Sequence, residues 1–259
     1  MTGPLHVRDL GAGPVVLLLH AFPCDGRMWA PQAEELVDDG WRVIVPDLPG
    51  FGRSPLLDGP PSLDAVATRL LHWLDGEGID RCVLGGVSLG GYVAMALLRA
   101  RPDVANRLLL CDTKATEDAE PARENRERLA RRCLESPGET GRILEQAVLP
   151  GLLGDTTRAD RPAVVDLVRG WLHEVDADTV AWYQRAMAAR PGSLELLGGL
   201  DLPTLVLFGD EDVLSPAAEQ ELMLAAMSQA RRVEVSGAGH LANVEVPARV
   251  ASEIRRFLA

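Results

Sequence analysis

Ser88 stands in the run Gly86-Val87-Ser88-Leu89-Gly90-Gly91, with a glycine two positions away on either side. A Gly-x-Ser-x-Gly match carries little weight alone. This one follows the apolar run at 82–84 and opens an Ala- and Leu-rich stretch at 89–101, stopped by Pro102. That order predicts a strand, a sharp turn and a helix, the setting a nucleophile elbow requires. So tight a turn strains the backbone at its apex, and side chains two residues before or after the serine would clash with neighbouring chain. The turn sets the hydroxyl at the C-terminal edge of a sheet, beside a helix N-terminus. Free N–H groups and partial positive charge there suit a developing oxyanion.

A serine hydroxyl is a poor nucleophile without a base to take its proton. Of the five histidines, His6, His72 and His173 fall in a predicted strand or predicted helices and read as structural. His20 ends a buried strand. His240 lies in Ser236-Gly237-Ala238-Gly239-His240, a Gly-rich loop between the last strand and the last helix. That loop faces the same sheet edge as Ser88, so His240 is the expected base. An acid must then orient the imidazole and stabilise its cation. The loop at 209–216 offers Asp210, Glu211 and Asp212. Asp212, anchored by the following Val213, is the expected acid; Asp210 reads as a turn holder and Glu211 as a solvated side chain. Asp112, ending the predicted strand at 107–111, also reaches this edge and is the alternative. The chain order nucleophile, acid, base is one of the orders in which Ser-Asp-His triads occur.

The elements that must position these groups follow from periodicity. The apolar run at 15–20 reads as a strand buried on both faces and 42–45 as the next buried strand; 81–87, 107–111, 203–208 and 232–235 read as further strands, with a weaker alternating strand at 5–10. Helical spacing occurs at 29–37, 62–74, 89–101 and 246–258, with Ser62 as a cap for the second. Strands alternating with helices imply an α/β fold: a mainly parallel, twisted sheet flanked by helices. From 115 to 197 the alternation stops. That stretch is charged and helical, with apolar stripes Val164, Leu167, Val168, Trp171 and Val180, Tyr183, Met187. It reads as a helical insertion between two sheet strands.

The chain has 259 residues, 47% hydrophobic and 25% charged, as expected of a globular protein with a large core. Its formal net charge of −12 argues against nucleic acid or an anionic membrane as partner. The same acidity counts against bulky anionic substrates. Cys24, Cys82, Cys111 and Cys133 are scattered without a CxxC pair, which points to reduced, packed thiols and gives no zinc spacing. The first residues lack the pattern of a signal peptide, and no apolar run approaches the roughly 18 residues that span a bilayer. A cytoplasmic monomer or homodimer is expected.

Four motifs occur in order: Leu19-His20-Ala21-Phe22-Pro23, Asp47-Leu48-Pro49-Gly50-Phe51-Gly52-Arg53-Ser54, the Ser88 run, and Gly209-Asp210-Glu211-Asp212 followed by Gly239-His240. Through them the chain resembles the α/β-hydrolase superfamily over nearly its whole length. Asp112-Thr113-Lys114-Ala115 and a short helical cap look most like the 3-oxoadipate enol-lactonase-like hydrolases and the cofactor-free non-haem haloperoxidases. The resemblance implies a core of residues 1–114 and 198–259 and a cap of residues 115–197. It implies an oxyanion hole from the N–H groups of Phe22 and Leu89, with Ala21 in place of the usual glycine, a structural His20, and Cys24 as at most a lining residue. Phe22, Trp29, Trp171, Trp182 and Tyr183 are the expected pocket residues. The implied activity is cleavage of a small-molecule ester or lactone through an acyl-enzyme, with no cofactor and no metal. The same triad also serves C–C bond hydrolysis, perhydrolysis or haloperoxidase-type chemistry, and biosynthetic acyl transfer or cyclisation. A binding protein on the same fold is the alternative outside enzymology. Ser88 argues against dehalogenases and epoxide hydrolases, which use an aspartate nucleophile.

Overall fold

A computed structural model of the chain describes residues 3–259. Its strands are β1 (Val7–Leu10), β2 (Val15–Leu19), β3 (Arg42–Pro46), β4 (Cys82–Val87), β5 (Ala105–Cys111), β6 (Thr204–Gly209) and β7 (Ala230–Val235). They form one sheet in the order β1-β3-β2-β4-β5-β6-β7. Only β1 runs antiparallel, to β3; every other pairing is parallel. The mainly parallel sheet expected from the sequence is therefore present. Every residue of β4 and β6 is buried, which is why those segments read as unbroken apolar runs.

The first helices are α1 (Ala30–Asp38), α2 (Leu63–Gly76) and α3 (Leu89–Ala100). Ser62 caps α2, its hydroxyl accepting the Ala65 N–H at 3.3 Å. Between β5 and β6 come seven helices: α4 (Glu120–Glu135), α5 (Thr140–Ala147), α6 (Leu149–Leu152), α7 (Asp155–Asp160), α8 (Pro162–Leu172), α9 (Ala177–Ala188) and α10 (Leu194–Gly198). The chain closes through α11 (Ala217–Ala226), α12 (Ala242–Glu245) and α13 (Pro247–Leu258). In the core, α2 packs on α3 and α1 on α13; in the insertion, α4 lies along α9.

One reading of the helices needs correction, and one helix, α11, was not read from the sequence at all. In α8, Val168 and Trp171 are buried but Leu167 is 49% exposed, because only a narrow stripe of this short helix meets its neighbours. Helix α11 carries no stripe that would mark it in the sequence: it buries Gln220 and Met223 while Leu222 faces outward. All four cysteines are buried and unpaired, and burial pushes their thiols up, Cys82 to about 12. Among the described residues no helix is long and apolar enough to cross a membrane.

Candidate active site

The elbow forms where β4 meets α3. Ser88 has φ 51° and ψ −110°, a left-handed conformation uncommon outside glycine. Three bonds hold it there. Its N–H donates to the Cys111 carbonyl at 3.0 Å, and its own carbonyl accepts the Tyr92 N–H at 3.1 Å and the Thr113 hydroxyl at 2.9 Å. The flanking glycines are required by close approach. A Cβ at Gly86 would lie 2.2 Å from the Gly90 carbonyl carbon, and one at Gly90 would lie 2.2 Å from the Leu19 carbonyl oxygen. Gly90 thus lets the start of α3 dock against the end of β2, where the chain turns into His20, Ala21 and Phe22. Gly90→Ala is expected to cost about 4 kcal/mol or more, since both colliding atoms are backbone and neither can yield. Chemical denaturation would show it as a collapse of the midpoint or as failure to fold; a midpoint within error of the parent would refute the packing argument.

The structure brings three of the expected groups into one chain of contacts. Ser88 Oγ lies 2.7 Å from His240 Nε2, and His240 Nδ1 lies 3.0 and 2.9 Å from the two carboxylate oxygens of Asp212. All three residues are at most 9% exposed. Burial alone would raise the Asp212 carboxyl. The neighbouring His240 and the hydrogen bonds from Ser215 outweigh burial and hold it down at about 2. Asp212 Oδ1 accepts the Leu214 and Ser215 N–H groups at 2.8 and 3.0 Å, and Oδ2 accepts the Ser215 hydroxyl. Sequence reasoning passed over Ser215, although Asp-x-x-Ser is the pattern of a side-chain-closed turn. Gln220 braces the same turn, its amide donating to the Thr113 and Ser215 carbonyls, each at 2.8 Å.

Asp112, the alternative acid, does not reach His240. It is fully buried and its carboxylate accepts the Gly209 N–H at 2.9 Å and the Ala242 N–H at 3.2 Å. It thereby ties the strand end before Asp212 to the turn after His240. Burial, then the nearby Asp212 charge, raises its carboxyl well above the usual range. Glu245 was also missed, and no sequence signal marks it. Its carboxylate gathers the Gly239, Leu241 and Gly154 N–H groups at 2.8, 3.2 and 2.9 Å, joining the His240 loop to the inserted helices. Asp210 holds its turn by accepting the Gly237 N–H at 2.7 Å. Glu211 is not simply solvated: it accepts the Thr156 N–H at 2.8 Å and the Thr156 hydroxyl.

His20 is fully buried and braces the loop that follows it. Its Nδ1–H donates to the Ala21 carbonyl at 3.0 Å and its Nε2 accepts the Leu48 N–H at 2.8 Å. Desolvation lowers its pKa, consistent with a neutral ring. Among the described residues, no acceptor takes the N–H of Phe22 or of Leu89. His6 pairs with Asp47 at 2.9 Å and His173 with Glu145 at 3.2 Å, both remote from Ser88 in role.

A cavity of about 440 Å³ opens onto Ser88 and His240, within the range of small-molecule sites. Phe22 lines it, beside Tyr92; Leu129, Val148, Leu152 and Met187 supply apolar wall from the inserted segment. The four other expected pocket residues do not line it. Trp29 is fully buried and donates its indole N–H to the Leu19 carbonyl at 3.1 Å. Trp182 donates to the Gly59 carbonyl at 3.3 Å, and Tyr183 stacks between Phe51 and Trp182 with ring centroids 4.7 and 5.0 Å away. Trp171 is buried in the packing of α8. These large rings fill the seams between helices and core, where their burial contributes most. Cys24, 1% exposed, is likewise absent from the cavity wall. The charged groups of the wall come from helix α4 and from the segment just before it, and they are mainly cationic: Arg126, Arg128 and Arg132 of α4 with Lys114, against Asp118 alone. The acidity of the whole chain therefore does not extend to this cavity.

Residues 16–253 match the model of the alpha/beta hydrolase family. A thermophilic esterase from Thermogutta terrifontis, solved with malate bound, is 41% identical, superposes with a TM-score of 0.92, and is matched over 98% of this chain and 92% of that one. The enol-lactonase from Burkholderia xenovorans LB400 is 28% identical with a TM-score of 0.88, over 98% and 96% of the two chains. Among curated sequences, a pimeloyl-[acyl-carrier protein] methyl ester esterase from Aeromonas salmonicida is 29% identical over 98% of this chain and 99% of its own. With the family matched along almost its full length and the elbow, sheet order and cavity in place, the chain belongs to the α/β hydrolase family and is a hydrolase.

Proposed function

We propose that the protein cleaves a carboxylic ester or lactone of a small molecule through an acyl-enzyme on Ser88. The observation that carries this reading is the unbroken contact chain from Ser88 Oγ to His240 Nε2 at 2.7 Å and from His240 Nδ1 to Asp212 at 2.9 Å. His240 takes the hydroxyl proton as Oγ attacks the carbonyl carbon. Asp212 fixes the Nδ1–H tautomer and stabilises the imidazolium. The N–H groups of Phe22 and Leu89, which have no acceptor among the described residues, hold the oxyanion. His240 then gives its proton to the leaving alcohol. A water molecule, deprotonated by the same nitrogen, attacks the acyl carbon and releases the acid and free Ser88. Residues 115–197 act as the cap over this chemistry and residues 1–114 and 198–259 as the core that performs it. Relatives named as esterases and an enol-lactonase support an ester bond as the target.

The test is hydrolysis of p-nitrophenyl esters from acetate to decanoate, together with labelling by a fluorophosphonate probe. Ser88-dependent labelling and an optimum among the shorter acyl chains are expected, since a cavity of about 440 Å³ holds a compact ligand. Folded protein that neither labels nor turns over any ester would refute the reading.

A further inference from the structure

The carboxylates of α4 are all kept off its cavity face. Ala122, Asn125, Arg126, Leu129 and Arg132 follow helical spacing and line the cavity. Glu120, Glu124, Glu127 and Glu135 of the same helix do not. The one carboxylate of the wall, Asp118, is already committed. Its side chain is 1% exposed and is met by Arg126, by Arg190 at 2.9 Å and by Lys114 at 3.4 Å. One negative charge thus faces three positive ones, and those cations hold its carboxyl well below the usual range, although burial opposes this.

Arg126 has the most side-chain contacts of the wall arginines. Its Nε is fixed on Asp118 and its Nη1 reaches Gln184 Oε1 of α9 at 3.3 Å, while no acceptor among the described residues takes its Nη2. Among the described residues Arg128 meets only the neutral side-chain oxygen of Asn125, and Arg132 has no ion-pair partner. Surface arginines on this chain are otherwise commonly paired, as Arg101 is with Asp75 and Arg255 with Asp39. A cationic wall with unfilled donor capacity, inside a chain of net charge −12, has the charge and the donors that an anion requires.

We propose that the ester cleaved here carries a carboxylate, and that Arg126, with Arg132 at the cavity wall, binds it while Ser88 attacks the carbonyl at the other end. This rests on the hydrolase reading of Ser88 above. Planar guanidinium groups on a cap helix would select substrates by charge, and the apolar lining of Leu129, Val148 and Met187 would pack the carbon chain between the two ends. The overall negative charge of the protein repels anions at long range, so a preference for an anionic ester has to arise locally.

Two matched pairs test it. The p-nitrophenyl monoester of glutaric acid is compared with p-nitrophenyl valerate, and para-acetoxybenzoate with para-acetoxybenzamide, so that the carboxylate sits once on the acyl side and once on the leaving side. At least one pair should favour the anion by about 10- to 100-fold in kcat/KM, mostly through KM, the range expected of a charge-assisted hydrogen bond. That preference should fall by about tenfold or more in Arg126→Gln. Arg132→Gln, which breaks no ion pair of the described residues, should also reduce it and serves if Arg126→Gln fails to fold. Calorimetry adds a readout without turnover: glutarate should bind the wild type more tightly than valerate does, and Arg126→Gln should erase the difference. Ser88-dependent turnover of the neutral esters with no anion preference would overturn this proposal and leave the hydrolase reading standing. Glutarate binding lost in Arg126→Gln without turnover of any ester would sustain the anion site and overturn the hydrolase reading instead. Equal binding of glutarate and valerate would overturn the anion site outright.

Discussion

Ser88→Ala is expected to lower kcat for any ester the enzyme accepts by about 10⁴-fold or more, with the fold unchanged. Both halves follow from the geometry. Among the described residues the side chain of Ser88 has a single polar contact, the 2.7 Å approach of His240 Nε2. Everything else that fixes the residue runs through its backbone: N–H to Cys111, and carbonyl from Tyr92 and Thr113. Alanine keeps those three bonds and occupies the same strained φ at no additional steric cost, because it too carries only a Cβ. The variant should therefore melt within a few degrees of the parent while losing the atom that forms the proposed acyl-enzyme. Residual turnover would come from the oxyanion donors and from binding alone. A stopped-flow assay separates the cases: the parent should release a burst of p-nitrophenol if deacylation is slower than acylation, and the variant none. Undiminished turnover in a folded Ser88→Ala would place the nucleophile elsewhere.

The sequence was most legible where a residue's position is fixed by the end of a strand. Ser88, Asp212 and His240 each follow a strand by a few residues, so once those strands are read as parallel their loops must meet at one sheet edge. Cavity-facing residues were hardest to read because they depend on how α4 docks along α9 over the core. No local pattern gives that docking. Trp29, Trp171, Trp182 and Tyr183 are large enough to line a cavity and equally suited to fill a seam, and the fold uses them for the seam. The cationic wall was hidden for a related reason. Net charge averages over the surface, whereas α4 separates Arg126 and Arg132 from its own glutamates by rotation about the helix axis. Glu245 joins partners from Gly154 to Gly239, a long-range clustering that only the folded chain reveals.

Asp212→Asn and Asp112→Asn should separate cleanly, although both remove one buried carboxylate at the same sheet edge. In Asp212→Asn the amide oxygen can still accept the Leu214 and Ser215 N–H groups, and the amide N–H₂ can donate to the Ser215 hydroxyl in place of accepting from it. The fold survives, but the same N–H₂ would face His240 Nδ1 and favour the tautomer with its proton on Nε2, pointing at Ser88. That nitrogen can no longer take the hydroxyl proton, so kcat should fall by about 10⁴-fold, the magnitude of the corresponding substitution in serine proteases. Asp112→Asn sets a donor against either the Gly209 or the Ala242 N–H. It should cost about 1–3 kcal/mol of stability and lower kcat far less, because Asp112 does not touch His240. The pH dependence gives an independent reading. The Asp212 carboxyl sits at about 2, below its ordinary 3.8. Its ionised form therefore stabilises the folded state above about pH 4, and that contribution is lost as pH falls from there toward 2. Across the working range Asp212 stays charged, so it adds no proton to the acid limb of log(kcat/KM), whose slope should not exceed one. A slope of two, or an Asp112→Asn variant as inactive as Asp212→Asn, would mean that the two buried aspartates share the task the geometry gives to Asp212.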